Sequence, residues 1–200
     1  MRINSFPLKI SLIILLTINS FAGFSQKQVK LSKSEIEGIL LMREEEKLAH
    51  DVYSFFAEKY DLQVFKNIKK SEVRHQDAMI WLMEKYGIED PSKEEEGKFH
   101  DQNLQKLYDK LTSGGNTVVD ALKAGAYIED LDIYDLKKLI KKSKNEDVKR
   151  VYTNLLRASE NHYRAFSRNL SNRGAEYVPE FLTKAEVAKI LENNSGRKRN

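Results

Sequence analysis

An all-α four-helix bundle is the fold this sequence predicts, and three observations predict it. The prolines are Pro7, Pro91 and Pro179 alone, so long stretches lack the residue that most disrupts a helix interior. Apolar residues recur in those stretches every three or four positions, the period of a helix face, and nowhere alternate with the period of a strand over any length. The stretches also fall into two pairs joined by a long charged segment, the layout of two helical hairpins and a crossover.

The elements follow in order. Arg2 and Lys9 precede an apolar run, Ile10 to Ile18, of signal-peptide length and too short to span a bilayer. Residues 1–25 are therefore expected to be a cleavable signal peptide, cut just before Gln26 after the small residues Ala22, Gly23 and Ser25, with an uncleaved anchor as the competing reading. No cysteine follows the run to carry a lipid. The mature chain is then secreted or periplasmic, with no stable membrane insertion, and starts with a linker over 26–33.

A bundle domain is expected over 34–193. Its first helix runs from about Ser34 to Tyr60, with Ser34 and Glu37 as a capping box and Ile36, Ile39, Leu40, Leu48, Val52, Phe55 and Phe56 as its apolar stripe. A second starts near Gln63 and stops at Gly87, with Pro91 beyond. So short a connection makes the two antiparallel neighbours. Ile88 to Lys98 is a charged linker, followed by a short helical piece from Gln102 to Leu111 and a flexible Ser113-Gly114-Gly115-Asn116. A third long helix begins after Asn116 or Thr117 and continues through Ile140, with Gly125 marking a close helix approach or a bend. The fourth starts at Asn145-Glu146-Asp147, whose acids suit a helix N-terminus, and ends by Gly174. A fifth, short helix starts at Thr183 with Glu186 as capping partner. Residues 194–200 form a basic tail, read as solvated rather than as a nucleic-acid site.

Composition narrows the function. Removing Arg2 and Lys9 from the 34 Lys and Arg leaves 32 against 30 Asp and Glu, a balance that calls for no strongly charged partner. The chain has no cysteine, which excludes disulfides, iron–sulfur clusters and thiolate zinc sites.

Chemistry is concentrated at four places, one per long helix. Glu46 shares a face with Ala49 and Tyr53 on the first. Glu72 and His75 form Glu-x-x-His on the second, where a three-residue spacing lets both reach one metal ion. Glu129 and Asp132 stand three apart on the third, and the fourth brings His162 with Glu160 nearby. A Glu from each of two helices and Glu-x-x-His from each of the other two is the donor set of di-iron and di-manganese carboxylate bundles. Carboxylates with imidazoles suit iron or manganese, and zinc is compatible. Taken singly, these residues read as solvated. Glu44-Glu45-Glu46 reads as a charge run with at least two members in water, Glu129-Asp130 and Asp132-Asp135 as a solvated stripe, and His50 and His100 as surface residues. Their joint occurrence, in order, favours the metal.

Four blocks also carry a resemblance: Met42-Arg43-Glu44-Glu45-Glu46-Lys47-Leu48-Ala49, Ser71 to His75, Gly125 to Ile133, and Ser159 to Phe166. Together they resemble the signature of a bacterial ferritin-like family, domain-of-unknown-function 2202, over roughly Ser34 to Leu191. The resemblance implies a ferritin-like four-helix bundle with a long crossover and short extra helices, and a capacity for two iron ions. The first block is also similar to the first helix of rubrerythrin, where a ligand Glu precedes Ala by three and Tyr by seven. That points to Glu46 rather than Glu44 or Glu45. One departure stands out: the position three before His162 holds Ser159, where a strict pattern has Glu, and Glu160 lies about 200° round the helix from His162. Asp132 supplies the missing carboxylate, or one metal position is weak, or a single ion binds.

The expected metal ligands are thus Glu46, Glu72, His75, Glu129, Asp132 and His162, with dioxygen or peroxide as the reactant and iron oxidation or peroxide reduction as the chemistry. Tyr53, Tyr127 and Tyr163 are candidates to support the ligands. Without cysteine, a reductase would need an external electron donor, and nothing marks a subunit contact surface or a storage cage. The contrasting expectation is a metal-free helical binding or structural module.

Overall fold

The computed structural model describes residues 30–193; the expected signal peptide, half of the linker and the basic tail lie outside the described residues. Six helices are present there and no strand: α1 Lys33–Tyr60, α2 Gln63–Tyr86, α3 Gln102–Gly114, α4 Val118–Lys142, α5 Glu146–Ser171 and α6 Lys184–Glu192. α1 packs along α2 and α4 along α5, and the two pairs meet through α1 with α4 and α2 with α5. Gly38 lies against Leu139 while Tyr53 reaches Gly125, so α1 and α4 run in opposite directions. The result is the expected ferritin-like four-helix bundle with one long crossover, in which α3 sits.

Local chemistry sets the ends. Asp61 (φ 52°) and Gly87 (φ 67°) stop α1 and α2 in the left-handed conformation. Thr117 and Thr183 cap α4 and α6, each in a capping box, and Asn145 caps α5. The expected box at the start of α1 is corrected: Ser32, not Ser34, is the cap, with Glu35 as its partner. Glu35 Oε1 also accepts from Lys144 N (2.9 Å) and Asn145 N (2.8 Å), tying the start of α1 to the start of α5.

The acidic run of α1 does not face water, contrary to expectation: Glu44, Glu45 and Glu46 are 3 %, 7 % and 2 % exposed. For Glu44 the crossover is the reason, whereas Glu46 turns towards Glu72 and His75 of α2. Arg43 Nε donates to Asp90 (2.9 Å), Lys47 Nζ to the Glu95 carbonyl (3.0 Å), and Asp51 accepts from Gly97 N (2.9 Å). Glu44 accepts from His100 N (2.6 Å) and Asp101 N (2.8 Å), filling the bare donors ahead of α3. A charged face of α1 is therefore buried under a loop and satisfied by it.

The solvated-stripe reading fails at Asp130 for the same reason. This fully buried carboxylate accepts from Tyr177 Oη (2.9 Å), Glu180 N (2.6 Å), Phe181 N (3.0 Å) and Leu182 N (2.9 Å), and so fastens the segment after α5 onto α4.

The apolar core of the bundle has two halves, and a smaller third cluster, Ile133, Tyr163, Leu182 and Ile190, seats the C-terminal segment on α4 and α5. One half gathers Val52, Tyr53, Phe56, Phe65, Leu122 and Phe166, and the other Ile39, Met42, Met79, Leu82, Leu136 and Tyr152. Between them, along every long helix, lies a polar layer.

Candidate metal centre

That layer is built from one turn of each long helix. Three-residue spacing puts Glu72 and His75 on one face of α2, as expected, and the bundle turns that face inward. Glu46 enters from α1, Glu129 from α4 and His162 from α5, all buried.

Glu72 holds the middle. Its Oε2 lies 2.7 Å from His75 Nδ1 and its Oε1 lies 3.0 Å from His162 Nδ1. His75 Nδ1 is also 3.0 Å from Glu46 Oε2, and His162 Nδ1 is 3.4 Å from Glu129 Oε1. The two imidazole rings stack with centroids 5.5 Å apart. Two groups with ligand atoms within 4.8 Å of one another result, Glu46–Glu72–His75 and Glu72–Glu129–His162, and they share Glu72.

Electrostatics in the layer are lopsided. Burial works against protonating His75, but hydrogen bonds and charge from Glu46 and Glu72 outweigh it and push its pKa up to about 11. His162 is opposed by burial and raised by Glu129 and Glu72 to about 10. Burial pushes Glu46 up to about 8 against the pull of His75. Burial also raises Glu129, whereas Glu72 is lowered because its two histidines overcome the effect of burial. Despite these contacts, Glu46 Oε1, Glu72 Oε1, His162 Nδ1 and Asp132 Oδ1 are buried atoms without a hydrogen-bond partner. Near Glu72 and Glu129, His162 Nδ1 has proximity without alignment. Unpartnered carboxylate oxygens and an imidazole nitrogen converging in a dry layer fit a divalent cation, which offsets their charge and takes their lone pairs.

The remaining expected residues separate. Asp132 is buried but belongs to neither three-residue group; its Oδ2 accepts from the Ser159 hydroxyl, and Glu46 and Glu129 act with burial to raise its pKa. Glu160 is half-buried and in neither group. Of the three tyrosines, Tyr53 touches the layer, donating to Glu129 Oε1 at 2.6 Å. Tyr127 packs against Phe181, and Tyr163 against Tyr177. His100 is exposed, and His50 is partly exposed beside Asp51. Sequence reasoning passed over Glu45, which is buried with Oε2 unpartnered. The available signal was its three-residue spacing from Met42 and Leu48, both buried on the same helix.

A family model described as "Uncharacterized protein domain (DUF2202)" matches residues 35–194. The chain is 50 % identical over 169 residues to "Uncharacterized protein MJ0754" of Methanocaldococcus jannaschii, covering 84 % of this chain and 91 % of that protein. It is also similar to the crystal structure of hypothetical protein MJ0754 from Methanococcus jannaschii, with a TM-score of 0.79 and 51 % identity over 80 % of this chain and 93 % of that one.

Proposed function

The chain belongs to the DUF2202 family, and on that premise we propose that it is an exported protein whose bundle core holds a pair of metal ions, iron foremost, for reaction with dioxygen or peroxide. The observation that carries the reading is the placement of Glu72, one carboxylate oxygen beside each histidine, in the middle of two buried ligand groups.

Glu46 and His75 would hold one ion and Glu129 and His162 the other, with Glu72 common to both. Asp132 is the candidate for a further donor: the Ser159 hydroxyl holds one of its oxygens and leaves the other unpartnered. Manganese and zinc are compatible with the same donors. A bound ferrous pair supplies two electrons, the number that reduces a peroxide to two waters with two protons.

The chain's own residues supply order and dryness. Tyr53 Oη fixes the Glu129 carboxylate, and hydrogen bonds of this kind orient metal ligands. Tyr53 in turn packs on Phe65 and Phe166, with centroids 6.0 and 5.3 Å away, which closes the layer to water on that side. With no cysteine in the chain, electrons for repeated turnover come from an outside donor. The apolar run at Ile10 to Ile18 supports export.

A second reading, a metal-free helical module, draws support from the histidines themselves. Held protonated at neutral pH, they offset part of the carboxylate charge without any metal.

Metal analysis separates the two. Protein reconstituted anaerobically with ferrous iron is expected to retain two irons per chain after desalting. Glu72→Ala and His75→Ala should lose most of it, and His50→Ala and His100→Ala should keep it. Retention by the Glu72 and His75 variants, or no retention by the parent, gives the metal-free reading the case.

A further inference from the structure

Charge that balances over the whole chain does not balance locally. On α4, Tyr127, Tyr134, Lys138 and Lys141 follow one another at seven, four and three residues, so helical geometry keeps them within about 60° on one face, with Lys142 at its edge. That face is turned outward. Tyr134 is 36 % exposed, the Lys138 side chain is 49 % exposed, and Lys141 and Lys142 stand in solvent. Phe181 widens the aromatic half, its ring 5.4 Å from that of Tyr127 and 5.8 Å from that of Tyr134. Lys138 Nζ lies 4.1 Å from the Tyr134 centroid and joins this half to the lysines. Aromatic rings beside lysines are the composition of surfaces that lie at a bilayer interface.

The lysine half carries charge that the protein does not offset. Lys138 has Asp135 at 3.5 Å, but among the described residues no carboxylate pairs with Lys141, Lys142 or Lys144. Acids at this end of the bundle are engaged elsewhere: Glu37 with Lys33, Glu186 with Lys137 and Glu146 with Lys149. Glu35 is buried in its bonds to Lys144 N and Asn145 N. Glu180, next to Phe181, stands at the aromatic edge. The negative end of α4 offsets about half an elementary charge, which leaves most of the charge of three lysines in excess.

The point where the chain enters the fold bears on what this charge meets. Those same bonds to Glu35 seat the first turn of α1 beside the end of α4, so residue 30 stands close to the lysine end. Only residues 19–29 separate it from the apolar run Ile10 to Ile18, and that stretch reaches about 40 Å at most. A bilayer that holds the run during export is therefore within about 40 Å of the lysines. No helix among the described residues is long and apolar enough to cross it.

We propose that the outer face of α4, from Tyr127 to Lys142 with Lys144 beyond, is a peripheral docking surface for an anionic phospholipid membrane. The lysines meet the headgroup phosphates, and Tyr134 and Phe181 lie at headgroup level without spanning. The inference takes from the reading above only that the chain is exported, and does not depend on the metal centre.

The test is co-sedimentation with vesicles. The mature chain from Gln26, which keeps every described residue, is mixed with vesicles of phosphatidylcholine alone or of phosphatidylcholine with phosphatidylglycerol. It is expected to sediment with the anionic vesicles and stay in solution with the neutral ones. Neutralising three lysines together, Lys141→Gln, Lys142→Gln and Lys144→Gln, should weaken binding about a hundredfold, since each lysine near an anionic surface contributes about fivefold. Tyr134→Ala should weaken it by a smaller factor. Lys69→Gln, Lys70→Gln and Arg74→Gln together remove the same charge from α2, which packs on α1 and α5, and should bind like the parent. Circular dichroism equal to the parent's shows that each variant is folded. An equal loss in the α2 variant would reduce the attraction to net charge and overturn the proposal. So would a parent that ignores phosphatidylglycerol, or one that binds a single-stranded oligonucleotide more tightly than the vesicles. Export is read separately, by N-terminal sequencing of the native protein, and an intact Met1 in the cytoplasm would overturn that reading while the vesicle result decides this one.

Discussion

Gly125 sits where α4 packs tightly on Phe166 of α5: a Cβ there would lie 2.4 Å from Phe166 Cε1. Phe166 has nowhere to go, because it is fully buried against Tyr53 and Phe65, with ring centroids 5.3 and 5.5 Å away. Two effects of Gly125→Ala therefore oppose each other. Helix propensity favours alanine by about 1 kcal/mol, while overpacking a closed core costs about 1–3 kcal/mol. The clash is expected to win, lowering stability by up to about 2 kcal/mol; a urea midpoint equal to the parent's or higher would show that the aromatic layer yields. The close approach expected at Gly125 was legible because a glycine in mid-helix needs a reason. Glu72 with His75, and Glu129 with Asp132, were legible because a three-residue spacing puts two ligands on one face without knowledge of the partners, whereas Glu46 was singled out from its neighbours by the resemblance and His162 by its place on the fourth long helix. Glu44 and Glu45 were not, since adjacent acids read as solvated until a covering segment is known. The segment covering Glu44 is His100 and Asp101, more than fifty residues further along the chain.

At the level of the helix, the start of α1 shows how a local tie is broken at long range. Ser32-Lys33-Ser34-Glu35 and Ser34-Glu35-Ile36-Glu37 both satisfy the capping-box pattern, and nothing local ranks them. Glu35 decides the matter through Lys144 N and Asn145 N, a contact between chain segments more than a hundred residues apart. It receives four hydrogen bonds in all, the other two from Ser32 N (2.9 Å) and Ser32 Oγ (2.7 Å). Burial alone would raise its pKa; the donors, Ser32 N first and then Asn145 N, reverse that and bring it down from 4.5 to about 2. A carboxyl depressed on folding contributes stability in full above its unfolded pKa and loses it as pH falls through the folded one. The amide of Glu35→Gln cannot accept all four bonds, so the variant is expected to be about 2 kcal/mol less stable at pH 7. The gap between parent and variant should hold down to about pH 5, then narrow as pH falls from 4.5 towards 2. Chemical unfolding of both proteins from pH 7 to pH 3 checks this, and a gap that widens on acidification would contradict the assignment. The remaining caps were legible where one candidate stood alone, as at Asn145 and Thr183, while at the start of α4 the structure decides for Thr117 over Asn116.

Across the whole molecule, the arrangement of hairpins and crossover followed from proline positions and helix periodicity. The fastening of the C-terminal segment by Asp130 did not, since it depends on backbone donors at Glu180, Phe181 and Leu182 that have no sequence signature. The same architecture sets a thermodynamic problem. Two apolar half-cores gain from packing, yet the layer between them confines Glu45, Glu46, Glu72, Glu129 and Asp132 with two histidines. Glu45, Glu46, Glu129 and Asp132 are raised, chiefly by burial, which opposes folding at neutral pH, whereas the raised histidines and the lowered Glu72 favour it, so the metal-free layer sets opposing terms against each other. Divalent ions bound by the folded chain alone add stability by mass action, about 2.7 kcal/mol for one site at a hundredfold excess over Kd. For a chain of this size each kcal/mol moves the unfolding midpoint by about 2–4 °C, so loading should raise Tm by roughly 5–11 °C. Calorimetry with anaerobic ferrous iron, followed by a chelator in excess, is expected to show the rise and its reversal. Protonation of the ligands competes with metal, so the rise should shrink as the scan is repeated at lower pH. His75→Ala should abolish it, and His100→Ala, whose side chain stands in solvent, should leave it unchanged. A Tm that ignores ferrous iron, manganese and zinc alike would mean that the protonated histidines already satisfy the layer, and that the bundle folds around a salt-bridged core instead of a metal pair.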